Sequence, residues 1–90
     1  MKTNTDTKTI KVHIILFASF GDFLGANELE LDMEQNGTIK DLQILLFNRF
    51  SPNKKWKKPL LYAVNQTFAT LTTKLNEGDE VVFMPFVSGG

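Results

Sequence analysis

The chain of 90 residues contains no cysteine and only one histidine, His13. Without cysteine it has no disulfide, no thiolate metal ligand and no cysteine nucleophile, and a single imidazole excludes a histidine-based metal cluster. Ten Lys and Arg residues balance ten Asp and Glu residues, so the formal net charge is zero. No overall charge therefore directs the chain to nucleic acid or to an anionic membrane. No apolar run approaches the roughly 20 residues of a membrane span.

The length limits the chain to one small domain. Hydrophobic residues make up 42% and charged residues 22%, which is ordinary for a folded, soluble protein. The first nine residues are polar and lack the apolar core of a secretory signal, so the cytoplasm is the expected location. We predict a flexible leader over residues 1–9, a folded domain over 10–85 and a C-terminal tail over 86–90.

Hydrophobic periodicity predicts the elements of this domain. Apolar residues alternate with more polar ones along residues 10–17 and 27–33, as in strands with one buried face. Thr38 is a predicted N-cap for a helix that ends near Phe50. Its apolar residues at helical spacing are Ile39, Leu42, Leu45, Leu46 and Phe50, with Ile44 and Phe47 expected to widen the stripe.

Four shorter elements complete the pattern. Residues 18–25 read as a short helical turn with Phe23 or Leu24 directed inward, and residues 60–65 and 80–85 read as strands. A minor pairing strand is expected between residues 66 and 75. This order predicts an α+β fold in which one main helix covers a mixed sheet of four to five strands, the layout of the β-grasp or ubiquitin-like fold.

The sequence contains none of the usual catalytic constellations of polar side chains. His13 has no evident partner and reads as a surface imidazole. Four carboxylates alternate along the second strand: Glu28, Glu30, Asp32 and Glu34. A calcium site is not favoured, because such sites usually draw their ligands from a tight loop. The favoured interpretation is a solvated face that complements a basic partner. No metal ligand is predicted.

A basic loop over residues 54–58 combines four lysines with Trp56. Charge beside a stacking ring is typical of a surface that binds single-stranded nucleic acid. The other interpretation is a solvated loop whose tryptophan folds back on the domain. Zero net charge and a single aromatic side chain favour the second interpretation, so no nucleic-acid partner is predicted.

The chain ends in Gly89-Gly90, five residues after the last predicted strand. Glycine loses more conformational entropy on ordering than any other residue and has no side chain to pack, so a globular domain gains little from such an end. An enzyme that threads a chain terminus through a narrow tunnel does gain, because glycine passes without a side-chain clash. The carboxylate of Gly90 then becomes the reactive group.

A second surface follows from strand parity. If Val81 and Phe83 point into the core, their neighbours on the last strand and the corresponding residues of the first strand point outward. We expect Phe68 to join this exposed apolar face and Phe86 to anchor the base of the tail. Exposed apolar patches usually mark an interface. The predicted partner-binding residues are thus Phe17, Phe68, Val82, Met84 and Phe86, together with Ile15.

Three segments carry a resemblance to a known family. They are Ala63-Val64-Asn65-Gln66, Leu75-Asn76-Glu77-Gly78-Asp79-Glu80-Val81 and Phe83-Met84-Pro85-Phe86-Val87-Ser88-Gly89-Gly90. Together they resemble the small subunits of molybdopterin synthase, the sulfur carriers of molybdenum-cofactor synthesis. The resemblance covers about residues 10–90. Phe86 stands where the family usually has a second proline, and Gly21-Asp22 stands where it often has an Arg-Glu pair.

The resemblance implies a cycle at Gly90. An ATP-dependent enzyme similar to ubiquitin-activating enzymes adenylates the carboxylate, a sulfur donor protein displaces AMP, and the product is a C-terminal thiocarboxylate. The tail, including Val87, Ser88 and Gly89, then enters the large synthase subunit and gives sulfur to cyclic pyranopterin monophosphate. The resemblance further implies a heterotetramer of two small and two large subunits. It implies no permanently bound cofactor on this chain, which would be a substrate-like arm without catalytic side chains of its own.

Other functions stay open at this point. A related carrier would supply sulfur for thiazole or for transfer RNA, and a protein modifier would join Gly90 to lysines of its targets. A plain binding module would carry its Gly-Gly end by chance.

Overall fold

The computed structural model describes residues 8–86, which form five strands and two helices. In chain order the elements are β1 (Thr9–Leu16), α1 (Ala18–Leu24), β2 (Glu28–Glu34), α2 (Ile39–Phe50), β3 (Leu60–Val64), β4 (Thr67–Ala69) and β5 (Glu80–Pro85). In these residues no helix is both long enough and apolar enough to cross a membrane.

The strands form one mixed sheet in the order β2-β1-β5-β3-β4. β1 lies parallel to β5 at its centre, and the other neighbouring pairs are antiparallel. The first and last strands of the domain are therefore neighbours. This architecture confirms the predicted mixed sheet covered by a main helix, with β4 as the predicted minor strand.

The main helix begins at the predicted cap. The Thr38 hydroxyl accepts a hydrogen bond from the Asp41 N–H, and the Asp41 carboxylate accepts one from the Thr38 N–H, so the two residues form a capping box. Ile39, Leu42 and Leu46 face the sheet and are fully buried. The expectation that Ile44 widens the buried stripe is wrong, since Ile44 is 47% exposed. At about 100° per residue it lies some 200° around the helix from Leu42.

The core lies between α2, α1 and the inner face of the sheet. β1 contributes its predicted alternating set to this core, Ile10, Val12, Ile14 and Leu16. β5 contributes Val81 and Phe83, also as predicted. Leu24 is buried as predicted, and Phe23 is half-buried. Phe20 was not predicted to be in the core, yet it is completely buried.

The basic loop contributes to the burial of Phe20, beside the rings of Phe47 and Phe83. The Trp56 ring packs edge-on against Phe20 and Phe23, with centroid separations of 5.0 and 5.3 Å. This confirms that the tryptophan folds back on the domain. The indole N–H of Trp56 is buried, and no acceptor within residues 8–86 lies within hydrogen-bond distance of it.

Tyr62 connects the sheet to the main helix. Its hydroxyl donates to Oε1 of Gln43 at 2.8 Å, and its ring meets Phe83 edge-on at 5.5 Å. Burial raises the pKa of the Tyr62 hydroxyl, because the phenolate form would lose solvation there. The hydrogen bond from the Tyr62 phenol joins β3 to α2.

We predict that Trp56 stabilises the domain through its ring and not through its N–H. Trp56→Phe removes a buried donor that has no acceptor, so the free energy of unfolding should change by less than about 1 kcal/mol. Trp56→Ala removes the ring from Phe20 and should cost about 2–4 kcal/mol, somewhat below the range for fully buried rings. Urea unfolding followed by circular dichroism measures both. Equal losses for the two variants would contradict the prediction.

Candidate functional site: the outer sheet face and the root of the tail

The sheet face that is turned away from α2 carries a row of small and apolar side chains. Val82 of β5 pairs with Ile15 on one side and with Ala63 on the other, and Ala63 pairs with Phe68. Directly paired residues lie on the same face of a sheet, so these four side chains form a line across β1, β5, β3 and β4. The structure thus brings together Ile15, Val82 and Phe68, as the sequence predicted.

A second pair lies next to this row, toward the end of β5. Met84 pairs with Leu61, which is 38% exposed. The sequence does not reveal the exposure of Leu61, because β3 is continuously apolar and its pattern does not show which residues face outward. Phe68 is 76% exposed, while Val82 and Met84 are half-buried. We use the name outer apolar face for Ile15, Leu61, Ala63, Phe68, Val82 and Met84.

Phe17 extends this region at the end of β1. Its N–H donates to the carbonyl of Phe83 at 3.0 Å, which continues the parallel pairing of β1 with β5 by one step. The next residue, Ala18, has a positive φ of 51°, and α1 starts there. Phe17 remains 47% exposed at this corner, in agreement with its predicted place outside the core.

Phe86 is the root of the C-terminal tail. Its N–H donates to the carbonyl of Pro59 at 2.9 Å, so the chain stays paired one residue beyond β5. The Phe86 side chain is 47% exposed. The other predicted tail residues, Val87, Ser88, Gly89 and Gly90, lie outside the described residues, and their roles stay predictions.

Asn65 connects two of the segments that carry the family resemblance. Its side chain donates to the Asp79 carboxylate at 2.9 Å and accepts from the Glu80 N–H at 3.0 Å. Asp79 also accepts from the Asn76 N–H at 2.8 Å. Asn65 and Gln66 have φ of 50° and 72°, which suits the tight turn between β3 and β4. These residues therefore fix the start of β5, the strand that leads into the tail.

The carboxylates of β2 lie beside His13, which was predicted to have no partner. His13 does have partners: its ring nitrogens lie within ion-pair distance of the Glu28 and Glu30 carboxylates. β2 runs antiparallel to β1 and brings its carboxylates opposite His13 and Lys11, and Lys11 lies 3.3 Å from Asp32. Within residues 8–86, no group of acidic or histidine side chains is arranged to hold a metal ion.

Sequence comparison places this site in a family. The model of the ThiS family matches residues 14–90, which include the outer apolar face and the tail. The chain belongs to the ThiS family. It is 34% identical to the molybdopterin synthase sulfur carrier subunit of Mycobacterium tuberculosis, over 90% of this chain and 99% of that protein. It is 25% identical to the subunit of the same name from Arabidopsis thaliana, over 94% of this chain and 88% of that protein.

Solved structures show the same fold. A putative subunit 1 of molybdopterin converting factor from Pyrococcus furiosus superposes with a TM-score of 0.73 at 23% identity, covering 87% of this chain and 99% of that chain. SAMP1 from Haloferax volcanii gives 0.72 at 21% identity, covering 89% and 99%. A complex of subunits 1 and 2 of the converting factor from Helicobacter pylori gives 0.61 at 22% identity, covering 90% and 100%.

We predict that the Asn65 side chain stabilises the start of β5. Asn65→Gly keeps a residue suited to positive φ but removes the hydrogen bonds to Asp79 and Glu80, so it should lower the free energy of unfolding by about 1–3 kcal/mol. The matched variant Gln66→Gly changes an exposed neighbour with positive φ and should have little effect. Thermal and urea unfolding measure both, and equal effects of the two variants would contradict the role of the Asn65 side chain.

Proposed function

We propose that this ThiS-family chain is the sulfur carrier subunit of a molybdopterin synthase. The observation that carries the proposal is the continuity of β5 with a Gly-Gly end. The central strand leads through Phe86 toward the Gly-Gly end, and the outer apolar face includes side chains of this strand. The names of the curated relatives support the same function.

The proposed chemistry takes place at the Gly90 carboxylate. A carboxylate is a poor electrophile, so the activating enzyme joins it to the α-phosphate of ATP and releases pyrophosphate. A sulfur nucleophile then attacks the acyl carbon, and AMP leaves. Where this nucleophile is a donor persulfide, a thiol reduces the resulting acyl disulfide, which releases the donor and leaves a thiocarboxylate. In the large subunit the thiocarboxylate sulfur bonds to the pterin substrate. Water then hydrolyses the resulting thioester, which leaves the sulfur on the pterin and restores the Gly90 carboxylate. Two such transfers supply the two sulfurs of the dithiolene.

The chain's own contribution is to position the tail. Glycine at the last two positions lets the backbone enter a narrow tunnel without a side-chain clash. The outer apolar face would dock on the large subunit, since exposed apolar patches of this kind mark interfaces. The Helicobacter pylori complex of two converting-factor subunits supports a large-subunit partner. The sulfur donor and the activating enzyme are further expected partners, and ATP is used by the latter.

A protein modifier is the second candidate function. Two structures with the same fold favour it, since both are named small archaeal modifier protein 1. They come from Haloferax volcanii and Methanosarcina acetivorans. A modifier would use the same adenylated Gly90 but would transfer the acyl group to a lysine amine. Covalent conjugates that survive denaturing electrophoresis, and that disappear when Gly90 is deleted, would identify this activity.

We predict that the chain gains sulfur when it is incubated with host extract, ATP and a sulfur source. Intact mass spectrometry should show an increase equal to the replacement of one oxygen by sulfur. The increase should disappear without ATP and in the variant that lacks Gly90. If the mass stays constant while the extract activates a control carrier, the proposed function is wrong.

We also predict that the outer apolar face binds the large subunit. Phe68→Asp changes a 76% exposed ring, so folding should be unaffected while affinity for the large subunit falls at least about tenfold. Ile44→Asp is the matched control, because Ile44 is also an exposed apolar residue but lies on α2. Isothermal titration calorimetry compares the two. Similar losses for both variants, or none for Phe68→Asp, would contradict docking through this face.

A further inference from the structure

The basic loop presents four exposed lysines around a fixed centre. Within residues 8–86, no carboxylate lies within ion-pair distance of Lys54, Lys55, Lys57 or Lys58. Trp56 packs against Phe20 and Phe23 and so fixes the middle of the loop to the core. The loop therefore holds its positive charge in a defined place.

That place is the root of the tail. The loop ends at Pro59, whose carbonyl accepts the hydrogen bond from Phe86, and Leu60 pairs with Pro85. Lys57 and Lys58 thus directly precede the residue that holds Phe86, at the point where the chain leaves the sheet. Phe17 and the exposed end of the outer apolar face are at the same end, since β1 and β5 are parallel.

Although the formal net charge is zero, positive and negative side chains are concentrated at opposite ends of the sheet. Among residues 8–86, the end that carries the tail root has four loop lysines and Arg49 against Asp22 and Glu28, which leaves a formal charge of +3. In the same residues, four lysines and seven carboxylates lie at or beyond the level where β5 begins, which leaves −3. The residues at this far end are Lys8, Lys11, Lys40, Lys74, Glu30, Asp32, Glu34, Asp41, Glu77, Asp79 and Glu80.

An extended tail would carry the reacting group away from the loop. Four residues separate Phe86 from the chain end, and an extended chain spans at most about 3.6 Å per residue, or roughly 14 Å. With the tail inserted in a tunnel, the lysines would remain at its mouth. They would then meet protein surface and not the phosphate of a nucleotide or a pterin bound at the tip.

We propose that the basic loop docks on an acidic surface around the tunnel mouth of the large synthase subunit and orients the carrier tail-first during encounter. The inference rests on the proposed function, because it needs a partner that receives the tail. Opposite charges at the two ends of the carrier turn the tail end toward an acidic surface before contact. A nucleic acid is a weaker candidate, because Trp56, the ring that would stack on a base, is packed against Phe20.

The experiment compares two triple variants with the same net charge. The loop triple is Lys54→Glu, Lys55→Glu and Lys57→Glu, which spares Lys58 because its amine lies 6.0 Å from the Trp56 ring centroid. The far-end triple is Lys8→Glu, Lys40→Glu and Lys74→Glu, all at exposed positions. Biolayer interferometry with the host's large subunit measures association and dissociation rates between about 20 and 500 mM NaCl.

We expect the loop triple to lower the association rate constant by about tenfold or more at low salt and to flatten its salt dependence. The far-end triple should change this constant by less than about threefold, and circular dichroism should show both variants folded. Equal effects of the two triples, or no effect of the loop triple, would overturn the inference. So would binding of a labelled single-stranded oligonucleotide that the loop triple abolishes while the association rate with the large subunit is unchanged.

The wild-type chain separates this inference from the proposed function. If it binds the large subunit and gains sulfur but ignores the charge of the loop, only the steering role is wrong. If it neither binds the large subunit nor gains sulfur, the proposed function fails and the inference fails with it.

Discussion

The parallel pairing of β1 with β5 is the constraint on which the rest of the structure depends. It places the first and last strands at the centre of the sheet, so α1, α2 and the outer apolar face are all built around them. Leu16 pairs with Phe83, and the Phe17 N–H extends the pairing by one hydrogen bond to the Phe83 carbonyl. This contact lies three residues before Phe86, the root of the tail. The tail is thus attached to the most buried strand pair of the domain and not to a loose edge.

Much of the fold was predictable because the local signals agree with the tertiary structure. The period-2 alternation of β1, the Thr38 cap and the β5 parity all follow from residues close together in sequence. Two of the segments that carry the family resemblance are in contact in the structure. The Asn65 side chain joins them through its hydrogen bonds to Asp79 and Glu80. Leu61 could not be assigned to the outer face, because a continuously apolar strand has no parity to read.

Other features depend on contacts between distant residues. Phe20 packs against Trp56, which lies 36 positions later in a loop that the local pattern describes only as basic and polar. The partners of His13 required the register of β2, which places Glu30 directly opposite it. The exposure of Ile44 is a matter of helix rotation, which a broad apolar stripe leaves ambiguous.

The central position of β5 also has a kinetic consequence. His13 pairs with Glu80 across 67 positions of sequence, so the middle of the sheet forms only by a long-range loop closure. Domains dominated by such non-local contacts fold more slowly than those with local ones. During synthesis the sheet cannot close before its last-made strand emerges. A copy that has folded has therefore completed β5, the strand that leads directly to the tail root at Phe86.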